Sequence, residues 1–191
     1  MPRRLDPELE RRILDAADRL WRHGGEKELT MRAVAKAART NTPAVYRRFK
    51  DREDLIRGLL LRIVARLRIH FEQGSTLEEM AEVYVKFALD EPNEYQLFYT
   101  YGPLMNPKAG RKRQPIRESR PNFKLVEETA ARQLGGAPED YTELVLQVWS
   151  LLHGMTMLLL TRSVSEAHEQ DLREACRSAV KILIANATKN R

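Results

Sequence analysis

The sequence predicts an all-α chain, and three observations carry that prediction. Apolar residues recur at three- and four-residue spacing in one segment after another, no alternating run long enough for a useful strand appears, and Gly or Pro punctuates the joins. The first segment opens with Asp6 and Pro7 as cap and first-turn residue. It carries Leu9, Ile13, Ala16, Ala17, Leu20 and Trp21 as one stripe and stops at Gly24-Gly25.

Residues 30–55 hold two short helical patterns around a tight break. Thr30 is a good N-cap for Met31, Val34, Ala35 and Ala38; after Arg39-Thr40, Asn41 caps a second helix with Pro43 in its first turn. Val45 and Phe49 are expected to point back to the core. That leaves Thr42, Tyr46, Arg47 and Arg48 on an outer face with no packing duty. Two short helices joined by a few residues, the second polar and cationic outside, describe a helix-turn-helix motif at about residues 30–49, whose second helix can enter a DNA major groove.

Asp51 and Asp54 stand at cap and third positions before a long run, Leu55, Leu59, Leu60, Ile63, Leu67 and Phe71, ending near Gly74. Residues 76–90 and 92–101 read as two further helices. Four prolines and a basic cluster make 102–121 a poorly ordered loop. Helices are expected again at 122–134, at 138 to about 162, and through the C-terminal stripe from 172 to 187. The stretch from 144 to 161 approaches membrane-span length, but Gln147, Ser150 and His153 interrupt it, so a buried helix is expected and no membrane partner. Because that helix is apolar nearly all round in its second half, it is either a central core helix or the meeting face of a second chain.

The net charge is +6, and its distribution says more than its sum. Residues 1–60 hold 15 Lys/Arg against 10 Asp/Glu, residues 108–124 hold seven against Glu118 alone, and the remainder is acidic. Arg3 and Arg4 offer a cationic arm. Cys176 is the sole cysteine, which excludes an internal disulfide and a cysteine-based zinc site and fits a reducing cytoplasm. The histidines at 23, 70, 153 and 168 form no close metal pair, and neither a phosphate-binding glycine loop nor a nucleophile elbow is present. No enzyme and no cofactor is therefore expected.

The ordered set Ile13, Ala16, Ala17 and Leu20, then Thr30-Met31-Arg32 with Val34-Ala35, then Tyr46-Arg47-Arg48-Phe49 and Glu53-Asp54-Leu55 resembles the N-terminal domain of the TetR family of bacterial transcriptional repressors. A shorter likeness, Trp149, His153 and Gly154 in WSLLHGM, resembles one common class of TetR-type C-terminal domain. The resemblance implies a DNA-binding domain at 7–67 and a C-terminal effector-binding and dimerisation domain at 68–191. It implies a cytoplasmic homodimer paired through its last two helices, with double-stranded operator DNA and a small hydrophobic effector as partners. Thr42, Pro43, Tyr46, Arg47 and Arg48 then face the groove, Arg32 reaches a base, and Thr30, Lys50 and Arg52 hold phosphates. An aromatic set, Tyr95, Phe98, Tyr99, Phe123, Trp149, His153 and Met157, could line an apolar effector pocket or be plain core. One departure stands out, because the family usually places Gly at the turn after the second helix and this chain has Arg39. Either Arg39 accepts a left-handed backbone, or the turn is wound differently. The rival reading of the same helices is a protein-interaction module without DNA binding.

Overall fold

The computed structural model describes residues 7–105 and 115–189. Among them are ten α-helices and no strand: α1 (Pro7–Gly24), α2 (Met31–Ala37), α3 (Thr42–Tyr46), α4 (Arg52–Gln73), α5 (Leu77–Asp90), α6 (Pro92–Tyr101), α7 (Ile116–Ser119), α8 (Pro121–Leu134), α9 (Thr142–Leu160) and α10 (Glu166–Lys189). The chain divides into two compact units, one built from residues up to 65 with 93–112, the other from 66–92 with 113–191. The boundary read from the sequence, at 67/68, places α6 with the C-terminal half. Compactness groups it with the N-terminal helices.

In the first unit, α1 packs on α2 and α2 on α3. Ile13, Ala16 and Ala17 of α1, Val34 and Ala35 of α2, and Ala44 and Val45 of α3 are all buried. Each fully buried Val or Ile contributes about 1.5–3 kcal/mol relative to exposure, which offsets the weak propensity of such short helices. Gly58 sits inside α4, where glycine is otherwise unfavourable. A Cβ there would stand 3.1 Å from both Leu14 and the Phe49 ring, so the missing side chain admits these two into the core.

Asn93 and Glu94 fasten α6 to the C-terminal end of α1. The Trp21 indole donates to the Asn93 carbonyl at 2.5 Å, the Asn93 amide donates to the Arg22 carbonyl at 2.8 Å, and Arg22 pairs at 2.6 Å with Glu94, whose side chain is buried.

The second unit packs α9 against α10, α5 and α8. Thr76 and Glu79 form a capping box for α5, and Gly135 and Gly136, at φ 83° and 79°, turn the chain out of α8 in a region that favours glycine. The long C-terminal segment begins as a 3-10 turn at Pro138–Tyr141 and is α-helical only from Thr142. By length and composition 138–160 alone among the described residues could cross a membrane, but buried Leu144, Val145, Val148, Leu152 and Met155 make it the centre of this unit.

One expectation needs correction. The 102–121 interval is not all loop: Gly102–Met105 is a 3-10 turn, α7 occupies 116–119, and the rest of the basic cluster up to residue 114 lies outside the described residues. Arg117 of α7 donates to buried Glu127 at 2.6 and 2.8 Å and also pairs with Glu139, so this member of the basic cluster is an internal tie. The Thr142 hydroxyl completes the satisfaction of Glu127 at 2.5 Å. Arg3 and Arg4 also lie outside the described residues.

The turn after α2 is left-handed, with Arg39 at φ 53°. The Thr40 amide bonds the Ala35 carbonyl at 2.9 Å and the Arg39 amide the Lys36 carbonyl at 3.1 Å, the paired closure that normally draws Gly. Arg162 closes α9 in the same way at φ 54°. A β-carbon in that region costs about 1 kcal/mol. Arg39→Gly is therefore expected to raise the melting midpoint by about 2–4 °C in a scanning experiment, since about 1 kcal/mol moves a chain of this size by that much. An unchanged or lower midpoint contradicts a strained turn.

Candidate nucleic-acid interface

Thr30 and Asn41 set the interface by starting its two helices where they do. The Thr30 hydroxyl accepts from the Ala33 amide at 3.1 Å, and the Asn41 side chain accepts from the Ala44 amide at 2.8 Å. Pro43 falls at a first-turn position, where its missing N–H leaves no bond unmade. With Ala44 and Val45 committed to the core, the opposite side of α3 presents exposed Pro43, half-buried Thr42 and Tyr46 at 51% exposure. Tyr46 is a large ring left in water on a short helix. That is an expensive choice unless something covers it. Arg32 on α2, Arg47 after α3, Lys50 and Thr30 are exposed as well.

The sequence reading is revised at three places. α3 ends at Tyr46 rather than running to 49, so Arg47 caps it and Arg48 and Phe49 already belong to the connection. Arg48 does not face outward: its side chain is only 6% exposed and turns toward Glu10 of α1, 4.0 Å away. Arg52 is also engaged within the unit. Its guanidinium donates to the Leu29 carbonyl at 3.0 Å, pairs with Glu26 at 3.3 Å and lies over the Tyr101 ring at 6.0 Å. Tyr101 in turn donates to Glu26, and this bond, with the Arg52 charge adding to it, holds the Glu26 carboxyl below the ordinary carboxylate range. Helical spacing alone gave no sign of these partners, because Glu26 and Tyr101 lie 26 and 49 residues from Arg52. At the start of α4, Asp51 accepts from the Asp54 amide and Asp54 from the Lys50 amide, at 2.8 and 2.9 Å, so the expected cap forms and fixes the backbone at Lys50.

The aromatic set is divided between the two units. Tyr95, Phe98 and Tyr99 belong to the first, where Tyr95 is buried against Tyr99 at 4.7 Å between ring centres and Phe98 meets Tyr99 edge-on at 5.3 Å. Phe123, Trp149, His153 and Met157 belong to the second. Phe123 meets Trp149 edge-on at 6.4 Å, and Arg120 stacks over the Trp149 ring at 5.6 Å. Met157 is 40% exposed, as is its neighbour Leu158 at 41%. Among the described residues no group of His, Cys, Asp or Glu is placed to hold a metal ion.

The model of the bacterial regulatory proteins, tetR family, matches residues 13–59, and that of the Tetracyclin repressor-like C-terminal domain matches residues 77–183. The second match alone spans more than half of the chain. The chain belongs to the TetR family of transcription regulators, a class of DNA-binding proteins and not of enzymes. Neither match assigns the Trp149–His153–Gly154 class of C-terminal domain. No curated protein matches the chain at the sequence level. Among solved structures it is similar to a protein of unknown function from Rhodococcus sp. RHA1 (21% identity, 97% of this chain and 98% of that one, TM-score 0.68). It is also similar to the multidrug binding protein EbrR complexed with ethidium (20%, 94% and 99%, TM-score 0.65). A third likeness is to a TetR variant from Acinetobacter baumannii AYE in complex with minocycline (20%, 96% and 96%, TM-score 0.60).

Two outcomes follow from the side-chain environments. Arg48→Ala should lower the melting midpoint because its side chain, 6% exposed, is packed within the unit, whereas Arg47→Ala, on the solvent side, should change stability by no more than about 0.5 kcal/mol. Equal effects would show that Arg48 is as solvated as its neighbour. Burial holds the His153 imidazole below its ordinary value, so the folded chain favours the neutral ring. The stability it contributes is complete above the unfolded value of about 6.5 and declines as pH falls through that value toward the lower folded one. Between about pH 7.5 and 5.5, His153→Gln should therefore show a smaller drop in melting temperature than the parent; an identical drop assigns the acid sensitivity elsewhere.

Proposed function

We propose that the protein is a homodimeric repressor that reads an operator through α3 and leaves it when a small hydrophobic effector binds. The observation that carries this reading is the outward face of α2 and α3, where Arg32, Thr42, Pro43, Tyr46 and Arg47 stand exposed or half-exposed around a helix whose other side is wholly core. Thr42, Pro43, Tyr46 and Arg47 meet the major groove, and Arg32 reaches a base edge from α2. Thr30 and Lys50 hold phosphates on either side. Arg48 acts through α1 by positioning the connection. Arg52 contributes to phosphate binding only if DNA draws it from Glu26.

Pairing with a second copy is supported by the apolar surface that α9 and α10 leave uncovered. Gly154 has nothing within 4 Å of where a Cβ would stand, Met157 and Leu158 are exposed beside it, and on α10 Ile182 is 57% exposed with the small residues Ser178 and Ala185 one turn away on either side. A dimer sets two α3 helices one duplex turn apart, about 34–36 Å, and converts weak single-site binding into operator recognition.

The effector reading rests on Phe123, Trp149 and His153 of the second unit, an aromatic cluster with one neutral imidazole and the Arg120 guanidinium beside it. Ethidium and minocycline, each bound to a protein of similar fold, are polycyclic molecules of the kind such a cluster accepts. α4 begins in the first unit and ends in the second, so it is the element through which effector binding reaches α2 and α3. To move operator occupancy from nearly full to nearly empty, the effector must favour the released form by about 5.5 kcal/mol.

Selection of a bound sequence from random duplexes, followed by titration at several salt concentrations, tests the DNA reading. Binding should weaken with a log-log slope of about −0.9 per phosphate neutralised. Arg32→Ala should cost about 1–3 kcal/mol and relax the preference at one base pair, while Lys50→Ala weakens all sequences alike. Ile182→Glu should yield a monomer with little operator affinity. Salt-independent binding, or no duplex selected at all, favours the protein-interaction alternative.

A further inference from the structure

The second unit contains a cleft of about 240 Å³ between α5 and α10, floored by α9, that shares no residue with the proposed effector cluster. Its floor is apolar and belongs to the core: Leu152, Met155, Cys176 and Val180 are each 6% exposed or less. Its rim is charged, and the two signs are not equally available. Glu82 is paired with Arg177 at 2.8 Å across the mouth, Glu79 caps α5 through the Ser75 and Thr76 amides, and Glu78 accepts from Gln133 at 3.0 Å. On α10 the cations stand one turn apart at 173, 177 and 181. Arg173 has only a 3.9 Å approach to Glu169, and among the described residues Lys181 makes no ion pair.

We propose that this cleft binds a small apolar carboxylate, whose hydrocarbon part lies on Leu152, Met155 and Val180 and whose acid group pairs with Lys181. An acid group is favoured over an amine because the rim carboxylates already have donors while Lys181 lacks an acceptor. The volume lies just below the range of about 300–1,000 Å³ usual for drug-sized ligands, which limits the occupant to a short chain or a single ring. A second copy of the chain is a poorer occupant: Ile182, which leads the uncovered surface of α10, is on a different face from Cys176 and Val180.

Octanoate is the probe, with octanol and octylammonium as neutral and cationic controls of equal length. In the full chain carrying carbon-13 methionine methyls, the Met155 signal, assigned by Met155→Leu, should shift saturably with octanoate, while Met31 in the first unit should not move. Lys181→Met should weaken octanoate about tenfold, the loss of one charge-assisted contact. Cys176, the chain's only cysteine, supplies a second readout. Burial raises its thiol above the ordinary range, so maleimide modification is slow, and octanoate should slow it further. The proposal is overturned if Met155 ignores saturating octanoate, if the three probes bind alike, or if Lys181→Met binds octanoate as tightly as the parent. None of these results bears on the DNA reading, since the cleft contains no residue of α2 or α3.

Discussion

Five residues are too few to make a helix in water, and the first unit is organised around that constraint. α3 closes barely more than one turn of its own, so its direction is set from outside. Asn41 fixes where it starts, Ala44 and Val45 seat it on α2, and Phe49 anchors the chain that leaves it, in space opened by Gly58 of α4. Once the inner side is committed in this way, the outer side has no freedom about what it shows. Tyr46 and Arg47 face water because Val45 cannot. The outward face is thus a by-product of packing, and its precision is that of the core beneath it.

The second constraint is the fastening of α6 to α1. Glu94 is a buried acid that can exist there only because Arg22 meets it at 2.6 Å, and the Trp21 and Asn93 bonds hold the same junction. Nearby, Tyr101, Glu26 and Arg52 form a small polar network joining the end of α6 to the start of α4. An element far along the chain is thereby made part of the unit that carries α2 and α3. Any signal that shifts α6 acts on α1 directly, through bonds that are short and few.

The helices were legible in the sequence wherever a cap and an apolar stripe coincided. Thr30, Asn41 and Asp51 all start helices where their side chains can reach a free amide, and the stripes behind them are buried. The outward side of α3 was legible for the same reason, as the complement of Val45. The destination of individual cations was not. Arg47 and Arg48 are adjacent and chemically identical, yet one faces water and the other turns to Glu10 of α1, because α3 stops at Tyr46 and the chain rotates there. The sequence reading makes Arg52 a phosphate contact and places Arg117 in a basic loop, and their partners Glu26, Tyr101, Glu127 and Glu139 come from separate segments that no local spacing connects. The α5–α10 cleft has no signature in the sequence for a related reason. Its floor residues read as ordinary core, and only the packing shows that they leave a space.

The central claim is that the outer side of α3, held by its inner side, is what touches DNA. Amide chemical-shift mapping of the full chain, free and bound to its selected duplex, tests this most directly. The account predicts the largest changes at residues 30–32 and 42–50, with amides facing the α5–α10 cleft unmoved. Largest changes on α8 to α10, with residues 42–47 unaffected, would contradict it.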